Sequence, residues 1–462
     1  MEGVVTYFGV WSLIPPLIVL AFALWTKKTF EALLLGALVA FGMLYKGNFL
    51  NYAIDATYDI ICDADTEWVF LSCGLFGALI ALLEKAKSTT AFTKLVSKKL
   101  KNGKQALLAS TILGIIIFID DYLSAMAIGS SMKKVTDKKA VPREALGVVT
   151  QATAGPVCLL FPITSWAVFW AGIYAAQKEW SSLGSGMEIF TKTIVFNFFS
   201  FAIVIVAVLF SLGIIPPIGV MKKAYERVKE TGRVYSEVSD KYNEESDEND
   251  EEDSDKIDIK GLINFFVPFA VLIIVSIVSG DILVGVIWSI ISVLVLYLPT
   301  KTISFEDYTQ CFIKGFASML PLLMIVYAAL LFQRAANEAG MSVFVVNSVV
   351  GIMSPKLLPV ITFIILSLIS FIVGSNWGAP AACVPIIAPL SVALGANPLL
   401  TIGAISAASA FGATGAFYCD DTVLTSSSIK IDNMEHVLSQ LPYVVIAFVA
   451  SVLLYTVLGF IM

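Results

Sequence analysis

Two stretches of the chain place adjacent carboxylates in strongly apolar surroundings. In FIDDYLSAMAIGSS, residues 118–131, Asp120 and Asp121 follow the run ILGIIIFI, and Ser124 comes soon after. In YCDDTVLTSSS, residues 418–428, Asp420 and Asp421 precede Thr422, Thr425 and Ser426. Two further stretches join helix breakers to hydroxyl or amide groups. They are AGPVCLLFPITSW (154–166), with Thr164 and Ser165, and GSNWGAP (374–380), with Ser375 and Asn376. Carboxylates, hydroxyls and carbonyls freed from helices are the hard oxygen donors that coordinate Na⁺ at membrane depth. A charge there costs at least roughly 2.5–3.5 kcal/mol on insertion scales, and a bound Na⁺ or H⁺ offsets it. Adjacent carboxylates repel, so such a pair can trade a proton for a sodium ion. Asp120 and Asp420 are therefore the expected sodium ligands, with Asp121 and Asp421 close by. The competing reading places Asp120 and Asp121 at the water boundary as caps of the helix that follows. GSNWGAP then becomes a surface turn, and Trp166 and Trp377 serve packing rather than substrate stacking.

The elements that must hold these groups are membrane helices. Of the 462 residues, 58% are hydrophobic and only 14% charged, whereas a soluble domain is nearer half apolar and a quarter charged. Runs long enough to cross a bilayer recur, for example 8–25, 190–213 and 441–461. The alternating short segments of a β-barrel are missing. The expected class is an all-α polytopic protein of the cell membrane. The start, MEGVVTYFGVWSL, lacks a basic n-region, so 8–25 is expected to stay as the first span. The six cysteines have no paired metal-ligand spacing and there is one histidine, His436, which excludes a zinc-site or disulfide-framework reading. Nothing points to nucleic acid. Nine of the twelve residues 244–255 are Asp or Glu, and without them the chain is weakly positive.

That acidic block divides the chain. Residues 1–218 read as a first membrane repeat, 219–260 as an acidic, disordered cytoplasmic linker, and 261–462 as a second repeat. An offset of 256 aligns Pro142 with Pro398, Gly147 with Gly403 and Ala152 with Ala408, and sets Thr164 and Ser165 on Asp420 and Asp421. With a short gap, Asp120 and Asp121 fall near Ser375 and Asn376. Lys94, Lys98, Lys99, Lys101 and Lys104 precede the first acidic pair, and Lys133, Lys134, Lys138, Lys139 and Arg143 follow it. The positive-inside rule puts both clusters in the cytoplasm, so 105–132 must be a re-entrant hairpin. The corresponding loops of the second repeat are nearly bare of lysine, which suits the outside. The repeats are thus expected to be inverted, each with about five crossings, a hairpin and a broken helix. Inverted repeats with broken helices place the substrate site near the midplane.

At these residues the chain resembles the NhaC family of sodium/proton antiporters, within the ion transporter superfamily. The resemblance rests on GVWSLIPPL (9–17), on DDYLSAMAIGSSM with TDK and PREAL, on PITSW (162–166), and on DDTVLTSS with HVLSQLPY (436–443). It implies paired inverted repeats, an elevator-like transport domain, homodimers, and Na⁺ as the coupling or transported ion with no organic cofactor. Relatives with similar motifs carry organic acids or amino acids, so a sodium- or proton-coupled carrier of a small organic solute is the second expectation. Cys419 and Asp421 depart from the family's Ser-Asp-Thr-Thr pattern, and Asp421 adds a charge. A channel lacks support because inverted repeats argue against a symmetric filter. A primary pump lacks the P-loop signature.

Overall fold

The structure is a computed structural model. It describes residues 7–26, 28–86, 88, 91, 100–243, 259–279, 281–341, 343–344, 347, 353–373, 376–417 and 419–462. Every regular element among them is helical. The chain is an all-α, multi-pass membrane protein built of two repeats. Five helices are long and apolar enough to cross a bilayer: Phe30–Ile61, Thr66–Lys85, Ile259–Ser279, Pro398–Gly415 and Asn433–Ile461. The run 190–213, expected as one span, is instead bent by 49° between Gly186–Phe196 and Phe198–Leu212. Asn197 sits at that bend and caps the second part, accepting from the Ser200 amide at 3.2 Å.

The two repeats follow one another closely. Helices Phe49–Ile61 and Ala64–Lys85 are matched by Phe305–Ser318 and Leu320–Glu338, whose starts lie 256 residues further on. Phe49–Ile61 and Phe305–Ser318 are absent from the sequence expectation because Asn51, Asp55 and Asp59, or Glu306 and Asp307, interrupt their apolar character. The repeats interlock through these helices. Gly77 and Gly315 cross so closely that a Cβ on Gly77 would lie 2.2 Å from the Gly315 carbonyl oxygen. Small residues let membrane helices approach in this way. Tyr45 donates to Glu338 at 2.8 Å, and Trp68 donates to Asp281 at 2.9 Å. Arg334 pairs with Glu338, as expected, and also with Asp59 at 2.8 Å.

Each repeat then forms a hairpin and a broken helix. The first hairpin is Gly103–Ile116 with Asp121–Lys138, and the second is Leu358–Val373 with Gly378–Ala393. The first broken helix is Arg143–Thr153, the short turn Gly155–Cys158, and Ser165–Ala175. The second is Pro398–Gly415 with Asp420–Ser428. Pro156 and Pro162 lack the N–H that a continuous helix would need. Helix Arg143–Thr153 is buried at every residue, and Pro398–Gly415 nearly so. By contrast, Ile274, Ile277 and Val278, and Leu453, Val457 and Ile461, expose large apolar side chains. A lipid solvent permits that, because hydrocarbon is as apolar as leucine.

The segment 219–260, expected to be disordered throughout, is folded over 219–243; residues 244–258 lie outside the described residues. Val220–Thr231 is a helix that buries Met221, Ala224 and Val228, an apolar stripe at helical spacing. Charge density in the sequence falls almost wholly after this part. Arg143 anchors it, donating to Asp137 and, through Nη1, to Asn243 at 2.7 Å and to the Ile429 carbonyl at 3.3 Å. Its guanidinium also lies over the Tyr235 ring, 4.5 Å from the centroid.

Candidate ion and substrate site

The hairpin tips and helix breaks converge in the protein interior. Asp120 caps helix Asp121–Lys138: its Oδ1 accepts from the Leu123 amide at 3.1 Å. The capping reading is therefore correct, but the water boundary is not, since Asp120 is only 2% exposed. Its Oδ2 accepts a second bond from the Ser165 hydroxyl at 2.7 Å. The main chain repeats the tie, with the Ser165 amide donating to the Ile119 carbonyl at 3.1 Å. Thr164 caps the helix Ser165–Ala175 and donates to the Cys158 carbonyl at 2.8 Å. These bonds fix the break against the tip of the same repeat.

The second repeat makes the equivalent junction. Asn376 donates to Asp421 Oδ2 at 2.9 Å, and its own carbonyl accepts from Ser409 at 2.5 Å. An offset of 256, without a gap, carries Asp120 onto Asn376 and Ser165 onto Asp421. The short gap in the sequence alignment is therefore unnecessary. The acid sits on the hairpin in one repeat and on the broken helix in the other. Thr422 donates to the Ala416 carbonyl at 2.9 Å, bracing the second break. Ser375 and the side chain of Asp420, both expected site groups, lie outside the described residues; the backbone of Asp420 opens helix Asp420–Ser428.

The two junctions share one neighbourhood. A Cβ on Gly155 would lie 3.3 Å from Asp421 Oδ2, so the first break touches the acid of the second. Cys158 lies in the electrostatic field of Asp121, Asp120 and Asp421 together. Asp121, Ser124, Thr164, Ser165, Asn376, Asp421 and Thr422 are all buried. The hydroxyls of Ser124 and Thr425 and the Gln151 carbonyl oxygen are buried without a hydrogen-bond partner. Such groups are costly unless something is bound to them. Sequence reasoning missed Gln151, Gly155 and Cys158; the cue was QATAGP, a polar residue one turn before a break.

Four helices begin at this place and four end there. N-terminal ends favour negative charge and C-terminal ends positive charge. The carboxylates of Asp120 and Asp121 stand at one N-terminal end and that of Asp421 at another, leaving carbonyl ends for a cation. Among the described residues, no three His, Cys, Asp or Glu side chains gather as a metal-ligand cluster. The donors are acid, hydroxyl, amide and carbonyl oxygens, a set chemically suited to an alkali cation and not to a thiolate- or imidazole-binding metal.

Known proteins agree with this architecture. The chain is 26% identical to an uncharacterized protein of Haemophilus influenzae, over 98% of this chain and 91% of that one. It is 26% identical to a malate-2H(+)/Na(+)-lactate antiporter of Bacillus subtilis over 34% of each chain. Among solved structures it superposes on MtrF of Neisseria gonorrhoeae with a TM-score of 0.62 at 14% identity, covering 90% of this chain and 84% of that one. On the YdaH transporter of Alcanivorax borkumensis the TM-score is 0.65 at 12% identity, covering 96% and 98%. The family model of the Na⁺/H⁺ antiporters matches residues 157–460, which hold one broken segment of the first repeat and all of the second. With its paired acids, hairpins and broken helices, this multi-pass secondary transporter belongs to the Na⁺/H⁺ antiporter family.

Proposed function

We propose that the chain exchanges Na⁺ for H⁺ at the two junctions, with Asp120 and Asp420 as sodium ligands and Asp121 and Asp421 beside them. The observation that carries this reading is the mirrored pair Asp120–Ser165 and Asn376–Asp421, buried where both repeats are broken. Ser124, Thr164, Ser165, Ser375, Asn376 and Thr422 complete the oxygen set. A carboxylate that loses its proton gains a ligand for Na⁺, so the two ions compete for one site. Alternating access moves the hairpins and broken helices as a unit against the remaining helices, in the manner of an elevator, within a homodimer. The division into repeats at 1–218 and 261–462, around a cytoplasmic 219–260, belongs to the same proposal.

A second reading has a specific observation behind it. Four helix N-terminal ends at one place suit a carboxylate-bearing substrate, and one relative is a malate and lactate exchanger by name. Purified protein in proteoliposomes with an internal pH dye separates the two. An imposed Na⁺ gradient that drives proton movement with no organic solute present supports plain exchange. Proton movement that requires an added organic acid or amino acid supports the carrier, and the absence of both rejects the site.

A further inference from the structure

A second polar cluster lies at the end of the first broken helix away from the paired acids. Glu144 is fully buried and accepts from Arg227 Nη2 at 3.0 Å. Arg227 also pairs with Glu435 at 3.5 Å, and Glu435 accepts from Ser236 and Ser239 of the folded segment. The residue after Glu435 is His436, the chain's single histidine. Its side chain is wholly buried, and neither ring nitrogen has a hydrogen-bond partner. It rests on Gly147, where a Cβ would lie 2.6 Å from Nδ1.

Gly147 stands one turn after Glu144 on the same helix face, and Gln151 one turn further. Gln151 donates to the Ala413 carbonyl at 2.6 Å and keeps an unpartnered carbonyl oxygen. Four residues on is Gly155, which borders Asp421. From the last helix, Gln440 stands one turn beyond His436 and donates to the Thr414 carbonyl at 2.6 Å. Polar groups therefore run from the charged cluster, past the imidazole, to the acids. Packing alone does not explain a buried imidazole with two open nitrogens, since an apolar side chain of that size would fill the space without leaving polar atoms unmet.

We propose that His436 relays protons between the Glu144–Arg227–Glu435 cluster and the paired acids. The inference rests on the exchange reading above. Neutral imidazole accepts a proton at one ring nitrogen, becomes imidazolium, and releases the proton of the other nitrogen toward Gln151 and the site. The ring returns to neutrality as its other tautomer, and only N–H bonds form and break. The charged and titratable groups on the elements packed around it are Arg143 and Glu144 on the first broken helix, and Arg227 and Tyr225 on the folded segment. Lys430 and Asp432 precede its own helix, which adds Glu435 and Tyr443, and helix Asp420–Ser428 adds Asp420 and Asp421. Helices Phe198–Leu212 and Pro398–Gly415 add none.

The test uses full-length protein in proteoliposomes, wild type against His436→Gln and His436→Asn. Na⁺-driven proton flux is followed between pH 6 and 9, alongside Na⁺-dependent thermal stabilisation in detergent. The relay predicts unchanged stabilisation, flux lowered at least tenfold in both variants, and a flattened pH profile. Wild-type flux with a wild-type pH profile in either variant overturns it. Equal loss of stabilisation and flux also overturns it, making His436 a packing residue. Wild-type protein that moves no protons against Na⁺ overturns the exchange reading itself, and is recognised without any variant.

Discussion

The indole of Trp166 lies against that of Trp377, their ring centroids 4.0 Å apart. Trp166 follows the first break and Trp377 forms the tip of the second hairpin, so this contact joins the two repeats at the site. Phe169 adds an edge contact to Trp377 at 4.6 Å. The tryptophans thus pack on one another. Trp377→Ala should lower stability by about 3–5 kcal/mol, the usual cost of truncating a buried aromatic residue. Trp377→Phe should recover most of it. Thermal unfolding in detergent reads both.

Asp120→Asn and Asp421→Asn should each abolish stabilisation by Na⁺. A ligand held at a hundred times its dissociation constant adds about 2.7 kcal/mol to the state that binds it. The wild-type melting curve should therefore shift upward with Na⁺ and not with K⁺, while the variants stay still. Wild-type stabilisation in both variants removes these residues from the ion site.

Gly77→Ala and Gly315→Ala should each destabilise by about 1–3 kcal/mol, the cost of overpacking. The added methyl meets backbone, at 2.2 Å and 2.3 Å respectively, and backbone has no rotamer to yield. Gly42→Ala, where a Cβ meets nothing within 4 Å, is the control and should be silent. Comparing the three melting temperatures checks the interlock between repeats.

Deleting residues 244–256 should leave transport within about twofold, as for a solvated spacer. Extending the deletion to begin at residue 233 should reduce it severely. That longer cut removes Asn243, which receives a bond from Arg143 and donates to the Lys430 carbonyl at 3.0 Å. Initial uptake rates of the two deletions, normalised to folded protein, distinguish spacer from brace.

Single cysteines at Lys138 and Ala393, in a background lacking the six native cysteines, should react with an impermeant thiol reagent from opposite sides of intact cells. Both positions are exposed in the fold. The basis is the lysine asymmetry of equivalent loops. Labelling from one side at both positions contradicts inversion.

The acidic pairs, the breaks and the 256-residue repeat were legible in the sequence because charge and helix breakers are conspicuous in apolar runs. Two things were not. Phe49–Ile61 and Phe305–Ser318 carry enough polar residues to fall below any hydropathy threshold. The fold of 219–243 is held by single long-range bonds, such as the Arg143 amide to the Val234 carbonyl at 2.9 Å, which no local pattern announces. The role of Asn376 as the counterpart of Asp120 was hidden for a related reason: an amide has replaced a carboxylate, and only geometry shows that the position is the same.

That replacement has an energetic consequence. Were the two junctions identical, exchanging the conformations of the repeats would give inward- and outward-facing forms of equal free energy. Here the acid belongs to the hairpin at Asp120 and to the broken helix at Asp421, with Ser165 and Asn376 as their neutral partners. A cation leaving toward one side parts from a different carboxylate-bearing element than one leaving toward the other. The two end states are then unequal in energy, and the resting transporter has a preferred side.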